Sequence, residues 1–383
     1  MKESLEWYEQ QPTHLRPNSF SETPSGLVGM QAEDCGVCHQ AIYEEWKVST
    51  HQKAWTDPQF QAELHKESSG NVQWMCVNCH TPTIQQLSEL VVDATEGLDR
   101  PMTVTNPLFD ASFQAEGVSC AGCHVRDGVV YGPFGDTVAP HPVKKGEHLL
   151  SSSVCLDCHQ AEVTFTELQL ACAFSTGREH AQGPYQEQTC QSCHMPEVQR
   201  PIVNGGVVRS ARRHYFGGSL IPKRFDLEQE MAEMSSFFQQ ALRVNPMLVQ
   251  TQNNVVSVNV NYQNAQAGHH LPSGDPERFL RFELQLINSQ GEIVHQATHR
   301  IGSVYQWWPQ VKKLSDNRLA AQESREWSTV WPDVLDGDYV VRLEVSKWRI
   351  SEENLAYHKL EKIVPSHVVI VQDSAQIEVT SKR

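Results

Sequence analysis

The sequence predicts a multidomain chain: a mainly α-helical, irregular N-terminal domain, packed around something other than an aliphatic core, followed by an all-β antiparallel sandwich. Three observations predict it. One five-residue cysteine motif recurs five times before residue 200. From about residue 250 the apolar residues alternate with a period of two. No stretch reaches the roughly 18 consecutive apolar residues of a membrane helix, so no spanning helix is expected.

A length of 383 residues suits two domains. With 31 basic and 46 acidic side chains, the formal charge is −15. So acidic a chain is not expected to bind nucleic acid or an anionic lipid surface over a broad patch. A charge-steered partner should present a basic face.

Ten of the 11 cysteines fall into the CxxCH copies Cys35-Gly-Val-Cys38-His39, Cys76-Val-Asn-Cys79-His80, Cys120-Ala-Gly-Cys123-His124, Cys155-Leu-Asp-Cys158-His159 and Cys190-Gln-Ser-Cys193-His194. Only Cys172 stands outside them. The spacing between first cysteines is 41, 44, 35 and 35 residues, too irregular for a solenoid of identical folds. CxxCH is the attachment signature of c-type haem. Its two thiols add to the porphyrin vinyl groups, and the histidine supplies the proximal nitrogen to iron. A disulfide framework would not place His after every second cysteine. Thioredoxin-like CxxC motifs come singly, and zinc knuckles pair and need no trailing His. The cofactors expected are therefore five covalently attached haem c groups, with His39, His80, His124, His159 and His194 as proximal iron ligands. Covalent haem attachment implies a periplasmic or extracellular location. Met1 to Glu6 is polar, with no apolar signal stretch, so a removed leader is the expectation.

The elements follow in order. Residues 1–30 are polar and contain Pro12, Pro17 and Pro24, and read as an arm. Residues 31–224 hold all five motifs and form the pentahaem domain, with the porphyrins as its core. Residues 225–249 read as a connecting helix: Leu227, Met231, Met234, Phe238 and Leu242 recur at three or four, Asp226 and Gln229 resemble a capping box, and Pro246 ends it. Residues 250–383 form the β domain. Val256, Val258 and Val260 alternate with polar residues, as do Leu280, Phe282, Leu284 and Leu286, and then Val341, Leu343 and Val345. Turn signals at Asn288–Gly291 and Asp336–Gly337, with short strands at 368–371 and 377–379, give about seven strands of an immunoglobulin-like sandwich.

Eighteen histidines less five proximal ones leave 13 for the far sides of five irons. His51 follows His39 by 12 residues, roughly 18 Å along a helix, so it should ligate a haem other than that of the first motif. His214, His269 in its Gly/Pro-punctuated loop, and His141 are the other stronger distal candidates. His148, His180, His65 and His14 are weaker. If one iron lacks a distal partner, it opens a binding position, or the ligand comes from a neighbouring subunit.

The stretch Cys35–His51 with Trp46 and Ser49, and the sequences Cys76–Pro82 and Cys190–Pro196, resemble the multihaem cytochromes c related to the tetrahaem cytochrome of nitrifying bacteria and to hydroxylamine oxidoreductase. The loop Gly268–Gly274 resembles one in longer members with an appended β domain. The resemblance implies closely stacked, mostly bis-His haems passing electrons along a chain, with the residue at the place of His51 ligating another haem. This chain has one haem motif more than the tetrahaem relative, and no CxxCK, the active-site signature of pentahaem nitrite reductases. The reading is an electron carrier between redox partners with basic docking faces; other cytochromes or self-association are further possible partners. The alternatives are a reductase or oxidase of a small nitrogen or sulfur compound at one open haem, with His180, Arg178 or Arg126 lining its pocket, and a subunit of an extracellular cytochrome filament.

Overall fold

The computed structural model describes residues 1–18, 22–66, 71–165 and 170–381. The chain divides into two compact units. The first comprises Met1–Leu170, Glu187–Phe238 and Lys362–Val364; the second comprises Ala171–Gln186, Gln239–Glu361 and Pro365–Arg383. No helix among the described residues is long and apolar enough to cross a membrane.

In the first unit, four motifs each lie within one short helix: Gln73–His80, Cys120–His124, Ser153–His159 and Cys190–His194. The first motif straddles two helices, Ala32–Gly36 and Gln40–Lys47. The amides of Cys38 and His39 both bond back to the Cys35 carbonyl, at 3.2 and 2.9 Å, and so keep the turn. On a helical turn, positions i, i+3 and i+4 share one face. The spacing of CxxCH therefore sends both sulfurs and the imidazole out on the same side. Helices of five residues are too short to persist alone, and tertiary bonds hold them. The N-terminal arm is one such support. Its helix Lys2–Glu9 buries Tyr8 against Trp74, Ile84, Leu87 and Leu90. The Tyr8 hydroxyl also accepts the Val91 amide at 3.0 Å.

In the second unit, two antiparallel sheets share one apolar core. In the smaller sheet, Val255–Asn264 pairs on one edge with Ser324–Trp331 and on the other with both Leu242–Val244 and Leu248–Gln252. In the larger, the order is Lys312–Asp316, Ile293–Gln306, Phe279–Asn288, Gly337–Trp348, His367–Val379. The period of two does what it must on a half-buried sheet: Val256, Val258, Val260, Phe282, Leu284, Leu286, Val341, Leu343 and Val345 all face the common core.

Four expectations are corrected. The connecting helix is short: a 3-10 turn at Phe225–Leu227 leads into Glu228–Ser235 only. Met231 and Met234 are buried as its apolar face, but Leu242 belongs to a strand, opposite Asn264. The open edge of the 255–264 strand offers backbone partners that outweigh the helical period. Asp226 forms no capping box; it takes the Arg224 guanidinium, with bonds of 2.9 and 2.8 Å. The two short strands expected near the C-terminus are one, His367–Val379, bulged where Val345 and Ser346 lie opposite. Residues 171–186, with Cys172, belong to the β unit, where Glu179 anchors them to Ser273 Oγ at 2.6 Å and Arg318 Nη1 at 2.6 Å.

Candidate haem-binding centres

Three of the CxxCH histidines are oriented by the same device. The Nδ1 atoms of His39, His80 and His124 each lie 2.7 Å from a backbone carbonyl, that of Ile202, Ala54 and Tyr131 respectively. A carbonyl only accepts, so Nδ1 carries the proton and Nε2 keeps its lone pair. Metal-binding histidines are held in this way, by a bond at the nitrogen that does not ligate. Burial pushes His80 down to about 4 and lowers His124, so both are neutral, the form that binds metal.

Two further histidines stand across from CxxCH histidines. His51 faces His159, with ring centroids 6.3 Å apart and planes at 29°. His214 faces His124, again at 6.3 Å, with planes at 31°. A metal held between two imidazoles at about 2 Å from each nitrogen puts the ring centroids about 6.4 Å apart. Both pairs therefore fit an iron bound from its two sides. His51 lies beyond the end of the Gln40–Lys47 helix, in a turn where the Thr50 amide and hydroxyl both bond to the Phe216 carbonyl, at 3.2 and 2.5 Å. The Phe216 ring stacks on His51 at 4.3 Å and meets His214 edge-on at 5.6 Å. Burial pushes both His51 and His214 down to about 3.

The other candidates differ in setting. His148 packs edge-on against Tyr131 at 5.5 Å, and its Nε2 is buried with no hydrogen-bond partner among the described residues. His141 makes one long contact, 3.4 Å from Nδ1 to the Pro142 carbonyl. His65 caps its own helix, with Nδ1 2.8 Å from the Gln61 carbonyl. His269 and His180 lie in the β unit. There Nδ1 of His269 sits 2.8 Å from the His270 carbonyl, and His180 packs against Gly268. Arg126 is tied to the carbonyls of Gly122 and Val125, at 2.9 and 2.7 Å.

The thiols show which motifs are neighbours. Cys35 and Cys120 hydrogen-bond, which lowers Cys35 and raises Cys120. Cys155 is raised by its bond to Cys190 and then by burial. Burial pushes Cys123 up to about 11, with Cys158 near enough to add to it. Motif one thus adjoins three, three adjoins four, and four adjoins five. Sequence reasoning missed Phe216, Tyr131 and the buried Glu45. An aromatic residue or a helical glutamate carries no motif, and only proximity reveals them.

Comparison with known proteins agrees with this chemistry. The family described as cytochrome c554 and c-prime matches residues 34–125. The penta-heme cytochrome c552 from Thermochromatium tepidum shares the fold at a TM-score of 0.64 and 20% identity, over 92% of this chain and 100% of that one. Two further structures overlap less than two fifths of this chain. They are the C-terminal domain of wzt (10% identity, 38% of this chain and 77% of that one, TM-score 0.22) and β-glucosidase 3B from Thermotoga neapolitana (14%, 36% and 16%, TM-score 0.18), and neither likeness carries an argument. No curated protein matches.

Proposed function

Because residues 34–125 match the cytochrome c554 and c-prime family, we propose that this chain is a multihaem c-type cytochrome that binds five haems and conducts electrons through them between redox partners. Haem supplies one-electron chemistry at iron; the chain supplies attachment, axial nitrogen and spacing. The observation that carries the reading is the pair of facing imidazoles, His51 with His159 and His124 with His214, each at 6.3 Å. Histidine on both sides of an iron leaves no position for a substrate and favours transfer over catalysis. The adjacent thiols of motifs one and three, three and four, and four and five support a continuous path.

In this reading His148 is the distal ligand in the 141–148 stretch, in place of His141. Its buried, partnerless Nε2 supports it, because such an atom costs stability unless it is bound. We read the β unit as an immunoglobulin-like sandwich, supported by its two antiparallel sheets on one core. Covalent haem attachment supports a periplasmic or extracellular site of action, and the charge of −15 supports partners with basic docking faces.

The test is the spin state of the mature protein. We expect low-spin signals from the irons in electron paramagnetic resonance and no carbon monoxide binding after reduction. His51→Ala and His214→Ala should each open one haem to carbon monoxide. A high-spin signal and substoichiometric carbon monoxide binding in the unaltered protein would instead support the reductase or oxidase reading.

A further inference from the structure

The helix after the first motif carries two adjacent acids with opposite fates. Glu44 faces solvent, whereas Glu45 is buried at 5% exposure. Four donors converge on the Glu45 carboxylate. Arg200 approaches it two-pronged, Nη1 to Oε1 at 2.6 Å and Nη2 to Oε2 at 2.9 Å. Arg213 Nη1 reaches Oε1 at 2.7 Å. The fourth donor is the backbone amide of His214, 2.8 Å from Oε2.

That amide has no partner in the sheet. The ladder between Glu197–Pro201 and Val208–Arg212 ends at the pair Glu197 and Arg212. Beyond it the chain turns inward, and Arg213 is tied by its own amide to the Pro196 carbonyl at 2.9 Å. The His214 ring is set by its Nδ1, 3.0 Å from the Arg212 carbonyl, and that carbonyl also accepts Arg200 Nη2 at 2.8 Å. Arg200 therefore touches both the carboxylate that holds the His214 backbone and the carbonyl that orients its ring. The two guanidiniums leave the carboxylate one further acceptor position, and the amide of His214, the residue of this turn that faces His124, takes it. A two-pronged, charge-assisted contact also fixes orientation, which a single bond does not.

We propose that Glu45 is the positioning residue for His214: clamped by Arg200 and Arg213, it holds the backbone so that the imidazole stays opposite His124. This rests on the reading of His214 as an iron ligand. Glutamine at this place keeps the size but loses the charge, and its amide group faces a guanidinium with a donor. The turn then loses the carboxylate that fixes it, and the imidazole leaves the iron for part of the time.

The experiment uses the mature haem-loaded protein as unaltered chain, Glu45→Gln, His214→Ala and the double variant. Electron paramagnetic resonance and carbon monoxide binding after reduction are read beside circular dichroism for folding. We expect Glu45→Gln to open a single haem in part, His214→Ala to open one haem fully, and the double variant to open no more than His214→Ala alone, since both act at one iron. Wild-type spin state and carbon monoxide inertness in Glu45→Gln, beside an open haem in His214→Ala, overturn the proposal and leave the ligand intact. A second open haem in the double variant also overturns it, because Glu45 then acts elsewhere. His214→Ala without an open haem overturns the ligand reading, and the proposal with it. If Glu45→Gln does not mature, Glu45→Asp keeps the charge while withdrawing the carboxylate by one methylene, and the same comparison applies.

Discussion

The chemistry of this protein rests on keeping histidine neutral. An imidazole that carries a proton on both nitrogens has no lone pair for a metal. Burial, with other histidines close by, pushes His51 and His214 down to about 3 and His80 to about 4. Their lone pairs are available throughout the neutral range. The surroundings of the ring separate His148, with its buried Nε2, from His141, whose Nδ1 lies 3.4 Å from the Pro142 carbonyl. His148→Ala should open one haem to carbon monoxide after reduction, and His141→Ala should leave the spectrum unchanged; the reverse result would restore His141. Glu116 shows the opposite behaviour of a carboxylate. Both of its oxygens accept the Ala32 amide, at 3.0 and 2.9 Å, yet burial pushes it up to about 7, with Glu33, Asp34 and Asp110 adding to the rise. A folded-state value above the ordinary carboxylate range means a contribution present below about pH 4.5 and lost as the pH rises through about 7. The urea midpoint of Glu116→Gln, relative to that of the unaltered protein at the same pH, should therefore rise between about pH 4.5 and about pH 8.

Elements here are short, and their ends matter more than their lengths. Four motif helices hold an entire CxxCH on one or two turns, and the motif itself is a helical face: cysteine, cysteine and histidine at i, i+3 and i+4. This much was legible from spacing. The connecting helix was not, because its apolar period runs on into residues that the 255–264 strand takes for its ladder. A period of three or four identifies a face but not where a competing partner ends it. In the β unit, Asn264 terminates that strand and pins the following loop. It donates to the carbonyls of His269 and Leu319, at 2.8 and 3.3 Å, and accepts the Ala267 amide at 3.1 Å. Asn264→Ala takes from the buried Ala267 amide its Oδ1 acceptor, and should cost about 1–3 kcal/mol, read as a lower urea midpoint at unchanged slope.

For the molecule as a whole, the distribution of apolar side chains separates two ways of building a core. The β unit gathers 18 buried residues into one cluster. Among the described residues the first unit shows two smaller clusters, of 7 and 4. An aliphatic core of the first kind sustains itself; under the proposed function the second kind depends on haem bound at its CxxCH motifs. Chain made in a host without haem-attachment machinery should retain a β-sheet circular dichroism signal and a protease-resistant fragment spanning residues 239–361, while residues 22–165 are cleaved. Equal resistance of both parts would show that the first unit folds without haem. The charge of −15 acts at this scale too. It should make the association rate with a basic redox partner fall steeply with added salt, measurable by stopped flow.

Chemistry written in consecutive residues could be read from the chain directly. The five CxxCH motifs are local, because each lies within five positions and one helical turn brings its members together. The alternating strands are local in the same sense, since a sheet with one wet face repeats every second residue. The pairing of His51 with His159 and of His214 with His124 spans 108 and 90 positions, and nothing in either neighbourhood names its partner. Those pairs, the choice of Glu45 over Glu44 for burial, and the orphaned nitrogen of His148 all depend on which distant segments pack together. Packing is a contest among many contacts of similar strength, settled by the fold as a whole.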